Sequence, residues 1–406
     1  MTPTDLPVFD PFSEEYFNDP SAVYARLRDE APVSFNEEYG FYAISRFDDV
    51  AAACLDWKTF SSEYGVDLSM LRRGVRFPVD LIIMMDPPKH DRMRALVSRV
   101  FTPRAVGALE PMIREVIEGY ADELDGRSSF DAVDEFSALF PVEIISRMLG
   151  VPPADRQQIR HWLDIGLRRE HGSADPTPEG MEAMLAAGVY FYELIVEKRA
   201  HPGDDMLSRL TQVEVDRGDG ETTALDDAEI AGFASLLGGA GAETVTKWFG
   251  NAVVLFSRHP DQWAKLVADH SLLPGAVEEV LRFHPPSQYQ GRYSVAESTI
   301  HGVTIPAGFP VLLLTGAATH DERAFDEPDR FDIERPQSLS LAFGYGLHSC
   351  VGAALARMEC RIALELLATR WTDYRVDEAG LRRVQMSNVA GYSHVPVSFP
   401  GLGHLR

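Results

Sequence analysis

Apolar residues recur at three- and four-residue spacing in the second quarter of the chain. Val106, Leu109, Ile113, Val116, Ile117 and Tyr120 would line one face of a helix. The same pattern runs from about Ala105 to Ala200. A longer helix is predicted to start at Asp226, where Glu229 completes a capping box, and to end near Ser257, before His259-Pro260. At about 1.5 Å per residue it would span roughly 45 Å, enough to cross a domain. Its middle reads Gly238-Gly239-Ala240-Gly241-Ala242-Glu243-Thr244. Each glycine costs up to about 1 kcal/mol relative to alanine, so close approach of a ligand face is the expected compensation. Ala353 to Leu367 is a further helical run.

Strand signals are fewer. Gly40 to Ser45 reads as a short strand between polar turns. Gln290 to Leu314 is strand-rich, with Ile305-Pro306-Ala307-Gly308 as a turn, and the β-branched, proline-punctuated tail from Val384 to Phe399 predicts a hairpin. The fold expected is mainly α with a smaller β portion. No repeat, low-complexity stretch or Gly/Ser linker divides it, so residues 1–406 read as a single domain. Its β-rich parts lie at roughly 30–60, 288–315 and 384–400, and its helical parts at roughly 86–286 and 350–370.

Composition narrows the function. An apolar content of 45% supports a sizeable core, yet no run approaches the length of a membrane span. Met1 to Glu15 lacks the basic-then-apolar pattern of a secretory signal, so the cytoplasm is the expected compartment. The three cysteines, Cys54, Cys350 and Cys360, form no C-x-x-C pair and indicate neither a disulfide framework nor a zinc site. A net charge of −24 argues against nucleic-acid or anionic-membrane binding.

The most informative segment is Phe343-Gly344-Tyr345-Gly346-Leu347-His348-Ser349-Cys350-Val351-Gly352. It presents one cysteine from a glycine-rich loop just before a helix. Free amide N–H groups and the positive end of the helix dipole favour the thiolate there. The glycines let something flat and bulky approach, and a thiolate so held suits an axial metal ligand. A buried free cysteine in a tight turn is the plainer alternative.

This segment resembles the haem-binding signature of the cytochrome P450 family, F-x-x-G-x-x-x-C-x-G, with Phe343, Gly346, Cys350 and Gly352 at its fixed positions. The resemblance extends over nearly the whole chain. Ala240-Gly241-Ala242-Glu243-Thr244 is similar to the family's [A/G]-G-x-[D/E]-T, Glu279 and Arg282 to its E-x-x-R, and Asp86-Pro87-Pro88-Lys89-His90 with Arg94 to its D-P-P-x-H-x-x-x-R. Ser340 and Tyr345 depart from the pattern at tolerant positions.

The resemblance implies a long central helix crossing over a buried haem b, an iron protoporphyrin IX with Cys350 as its thiolate axial ligand. His90, Arg94, Arg292 and His348 would hold the propionates, and Ala240, Gly241, Phe343, Gly344 and Gly352 would touch the cofactor. Thr244 and Glu243 would deliver protons to bound dioxygen. Glu279, Arg282 and Arg335 would form a structural charge cluster. The activity implied is insertion of one oxygen atom from O2 into a hydrophobic small molecule, by hydroxylation, epoxidation or dealkylation. Electrons would come from a ferredoxin or flavodoxin-type partner with an NAD(P)H-dependent reductase. Arg104, Arg357 and Arg361, placed near the propionate helix and the helix after Cys350 on an acidic background, are expected to help form its cationic docking patch, with exposed arginines that serve no partner as the plainer alternative. By family position, Leu81, Ile82, Met85, Leu236, Ala240, Gln288, Tyr289, Val389 and Ala390 would line a pocket for a terpenoid, steroid or lipid-like substrate. Two alternatives stand beside this reading: a peroxide-driven peroxygenase, and a non-catalytic haem sensor or carrier with no use for Thr244.

Overall fold

The computed structural model describes residues 6–76, 81–98, 100–216, 222–386 and 388–399. Its axis is the helix Asp227–Arg258, 32 residues long. The capping box forms: Glu229 N–H donates to Asp226 Oδ1 at 2.8 Å and Asp226 N–H to Glu229 Oε2 at 2.9 Å. Beyond its midpoint this helix is buried on every side, with Trp248, Phe249 and Phe256 at its centre. Neighbouring helices Phe140–Leu149, Pro178–Ala200 and Ala353–Arg370 pack against it.

Five short strands form the main sheet: β1 (Val33–Asn36), β2 (Phe41–Ile44), β3 (Phe60–Ser61), β4 (Gln290–Ser294) and β5 (Pro310–Leu313). Their order is β1-β2-β5-β4-β3, with β5 parallel to β2 and antiparallel to β4. The two β-rich stretches expected far apart in sequence therefore build one sheet. Pro306 to Gly308 is a turn as expected, between the small hairpin strand Val303–Ile305 and β5.

Two expectations are corrected. The tail is not one local hairpin. Tyr392–His394 pairs with Arg382–Arg383, whereas Pro396–Ser398 lies between Ser129–Asp131 and Arg375–Val376 in a separate sheet. The helical stretch is also interrupted by Ser129–Asp131. Asp131 Oδ1 accepts N–H groups from Val133, Asp134 and Val395, which ties this break to the tail. A non-local pairing of this kind leaves no local pattern.

One buried carboxylate organises the approach to the cysteine loop. Glu279 lies on the helix Leu273–Phe283 and is 3% exposed. It accepts from Arg282 Nε at 2.8 Å and Nη2 at 2.9 Å, and from the Asp332 N–H at 3.0 Å. Arg335 Nε completes the ion pair at 3.2 Å. The remaining guanidinium donors reach backbone carbonyls of Thr319, Asp326, Glu327 and Arg330. Such a fully satisfied network rigidifies what it joins. Gly275 permits the approach, because a Cβ there would lie 2.5 Å from the Ile333 carbonyl oxygen.

Truncating Glu279 strands two guanidinium groups, so Glu279→Ala should cost about 3–5 kcal/mol in denaturant unfolding. Gly275→Ala should destabilise by about 1–3 kcal/mol through overpacking. Gly188→Ala, on an open helical surface, should instead stabilise by up to about 1 kcal/mol. Equal effects at the two glycines would contradict this packing account.

Candidate functional site

The cysteine loop takes its shape from two left-handed glycines, Gly344 at φ 70° and Gly346 at φ 71°. Side chains have no room there. A Cβ on Gly344 would lie 2.8 Å from Gln290 Nε2, and one on Gly346 would lie 3.0 Å from the Cys54 carbonyl oxygen. The Cys350 N–H donates to Phe343 O at 2.7 Å and closes the loop. The Arg357 guanidinium sits 4.5 Å from the centre of the Phe343 ring and pairs with Glu278. Cys54 and Cys360 are buried, while Cys350 is accessible.

Surface exposure and depth differ at Cys350. Solvent reaches the residue, yet protein surrounds it closely enough that burial pushes its thiol pKa up. The Gly352 N–H, Arg94 and Arg357 pull the other way without reversing the rise. The helix terminus alone therefore does not secure a thiolate, contrary to the expectation from sequence. A bound cation would, because a coordinating thiol is deprotonated outright.

The four residues expected at the propionates converge. His90 and Arg94 share the helix Lys89–Val97, which Asp86 anchors by accepting from Ser61 Oγ at 2.6 Å and Ser62 N–H at 3.1 Å. The rings of His90 and His348 are 4.6 Å apart. Burial pushes the His348 pKa down to about 2, and nearby Arg292, His90 and Arg94 add to the effect. These surroundings favour the neutral form of the His348 imidazole. Arg292 is 5% exposed; its Nη1 donates to the Gly291 carbonyl at 2.7 Å. Among the described residues, His90 Nε2, His348 Nε2 and Arg292 Nη2 are buried nitrogens without a hydrogen-bond partner. A buried guanidinium and two imidazoles left unsatisfied together call for an anion. Two haem carboxylates fit that demand, and the lone accessible cysteine fits the iron.

On the central helix, Ala240 is exposed and Gly241 and Thr244 are half-buried. Thr244 Oγ1 donates to the Ala240 carbonyl at 2.9 Å. The glycines of this stretch turn away from its accessible face, and their neighbours stand at ordinary contact distance. Cβ atoms on Gly238, Gly239 and Gly241 would meet Phe191, Leu163 and Ile145 at 3.4–3.5 Å, so these glycines face neighbouring helices. The accessible face is that of Ala240 and Thr244. Glu243 is 5% exposed, and its Oε2 lies 3.1 Å from Nζ of Lys247, itself 3% exposed. Lys247 was not singled out from sequence, although its i,i+4 spacing from Glu243 was a legible signal.

The pocket residues separate into two groups. Leu81, Ile82 and Leu236 are half-buried, Leu236 one helical turn before the exposed Ala240, and Met85 is buried just before the propionate helix. Tyr289, fully buried, sits with Phe9 and Tyr16 in an aromatic cluster. Gln288 accepts from the Tyr24 hydroxyl at 3.0 Å, and both Gln288 and Ala390 line a separate polar cavity. Val389 packs with Val384, Met386 and Leu167. Of the expected cationic patch, Arg104 is exposed, but Arg357 is paired with Glu278 and Arg361 with Glu110 and Glu365.

Comparison with known proteins agrees with this geometry. A family model described as Cytochrome P450 matches residues 182–372. The Mycobacterium tuberculosis protein designated cytochrome P450 123 is 42% identical over 393 residues, covering 96% of this chain and 96% of its own length. The vitamin D(3) 25-hydroxylase of Pseudonocardia autotrophica is 36% identical over 374 residues, 90% of this chain and 89% of its own. A mutant of P450 EryK in complex with erythromycin B superposes with a TM-score of 0.85 at 35% identity, covering 94% of this chain and 97% of that one. CYP109E1 from Bacillus megaterium in complex with testosterone gives 0.85 at 32% identity, over 95% and 98%.

Arg292→Met removes Nη2, one of the three buried nitrogens of this cluster without a hydrogen-bond partner among the described residues. The variant should fold, but transfer its haem to an excess of an apo-globin acceptor at least tenfold faster than the parent. An unchanged transfer rate would remove Arg292 from the anchoring set.

Proposed function

This chain belongs to the cytochrome P450 family and is a haem-thiolate monooxygenase, and we propose that it inserts oxygen into a bulky, largely apolar molecule with Cys350 as the iron ligand. The observation that carries this assignment is the pairing of one accessible, loop-held cysteine with a cluster of unpartnered nitrogens. Cys350 would hold the iron, and His90, Arg94, Arg292 and His348 would hold the two propionates. When bound, the haem supplies the oxidising chemistry, with the electron-rich thiolate favouring O–O cleavage.

The protein's own part is to place groups and move protons. Gly344 and Gly346 hold the cysteine loop without a side chain in its path. The Gly352 N–H and the Arg94 and Arg357 charges steady negative charge on the sulfur. Thr244, bonded to Ala240 O, stands on the accessible stretch of the central helix. Its hydroxyl can give up that bond to orient a water, and Glu243 beside it supplies the proton.

Leu81, Ile82, Leu236 and Ala240 offer an apolar lining with no charge to grip a carboxylate, which favours a terpenoid, steroid or lipid-like substrate. The relative named for vitamin D(3) and the neighbours solved with erythromycin B and testosterone are consistent with a bulky ligand. Hydroxylation is the reaction proposed. Electrons come from a separate ferredoxin or flavodoxin-type protein with an NAD(P)H-dependent reductase. Its docking surface includes Arg104, since Arg357 and Arg361 already have carboxylate partners. Among the described residues no helix is long and apolar enough to cross a membrane, and the cytoplasm is the proposed compartment.

Thr244→Ala tests this reading. Product formed per NAD(P)H consumed should fall about tenfold and peroxide should rise in its place, with substrate binding unchanged. Unaltered coupling would contradict the role given to Thr244.

A further inference from the structure

Six of the thirteen exposed large apolar side chains among the described residues lie on one helix, Pro178–Ala200. Met181, Met184, Leu185, Val189, Tyr192 and Val196 are each between 45% and 69% exposed. At about 100° per residue they fall within an arc of about 140°, along about 22 Å of helix. Apolar residues scattered singly over a surface need no explanation, but a stripe of them does. The other face of this helix is committed to the fold. Ala183, Ala187 and Leu194 are buried there, and Phe191 stands against Gly238 of the central helix.

Helices that lie on lipid carry lysine and arginine beside their apolar face. Here the exposed Glu182, Glu193 and Glu197 border the stripe, while the nearby cations Lys198 and Arg199 pair with Asp205 and Asp227. That edge argues against a lipid surface. The stripe matches itself instead. Turned end for end about its midpoint, between Gly188 and Val189, it brings Met181 onto Val196, Leu185 onto Tyr192 and Gly188 onto Val189. Two-fold interfaces have this property: residue i meets j, and j meets i. A Cβ at Gly188 would meet nothing within 4 Å, so the backbone at the midpoint is open to close approach. At roughly 100 Å² for each half-exposed side chain, the six present on the order of 600 Å², the upper end of what monomers leave bare. Two copies face to face would remove about 1,200 Å² from water, the lower bound of specific, stable interfaces.

We propose that this face pairs with the same face of a second copy, helix against antiparallel helix. The two-fold axis keeps the acidic edge on one side in both copies. Glu182 of one subunit therefore comes beside Glu193 of the partner subunit. Like charges so placed oppose pairing, and salt relieves them. The pair is weak at low salt and tightens as salt rises. Below about 1 µM it dissociates, so the stability change given above for Gly188→Ala is that of the single chain.

Sedimentation equilibrium of the haem-loaded full chain tests this, from about 1 to 100 µM protein in about 50 and 500 mM salt. The parent should be a monomer–dimer mixture, with the dimer at least threefold tighter at the higher salt. Leu185→Glu should weaken pairing at least tenfold. Val303→Glu, the same change at an exposed apolar residue off this helix, should not. Glu193→Lys sets an opposite charge beside Glu182 of the partner subunit and should tighten pairing at least threefold at low salt. Adding Glu182→Lys to it reinstates like charges and should remove that gain. A mere fall in net charge would tighten the double variant further, and that result overturns the antiparallel pairing. Parental pairing in Leu185→Glu overturns the interface itself. A parent monomeric at every concentration does so too, and its co-sedimentation with phosphatidylcholine vesicles would then assign the stripe to lipid.

Discussion

The Glu279 carboxylate holds two arginines from different parts of the chain, Arg282 on its own helix and Arg335 on the segment leading into the cysteine loop. Neither guanidinium could be buried without it, and their spare donors fasten the carbonyls of the intervening segment. The loop from Phe343 to Gly352 follows directly, closed by the Cys350 N–H and by two glycines in a left-handed backbone that a side chain would strain. The position of one sulfur atom thus depends on a buried salt bridge that never touches it. The same economy appears at Asp86, which fixes the helix carrying His90 and Arg94 to the sheet.

Charge is handled in two ways around this frame. In the Glu279 network every donor finds an acceptor inside the protein. At Arg292, His90 and His348 the protein stops short, leaving three buried nitrogens to be satisfied by a ligand. The first arrangement gives rigidity and the second gives affinity for an anion. The Glu243–Lys247 pair belongs to neither class, being paired yet incompletely bonded beside a threonine on the accessible face of the helix.

Local signals made much of this legible from sequence. The capping box at Asp226 placed the start of the central helix, and fixed offsets around Cys350 placed the loop. His90 and Arg94, four apart, were bound to share a helix face, and the structure brings Arg292 and His348 to them. What sequence concealed was set by distant packing. Lys247 was not singled out, and its burial beside Glu243 depends on the distant Gly391, whose backbone lies against it. Tyr289 and Gln288 read as pocket residues until Phe9, Tyr16 and Tyr24 fold in from the N-terminus. The glycines of the central helix suggested room for a ligand, and Gly238, Gly239 and Gly241 face neighbouring helices at ordinary contact distance. The tail reads as a hairpin because its pairing with Phe130 cannot be seen locally.

The central claim, that Cys350 supplies the thiolate ligand, is tested most directly by the absorption spectrum of the dithionite-reduced protein under carbon monoxide, with Cys350→His alongside. The account predicts the strongly red-shifted Soret band of thiolate ligation in the parent, and its replacement by the band of histidine or unligated haem in the variant. A parent spectrum lacking the red-shifted band, or a variant that retains it, would contradict the assignment.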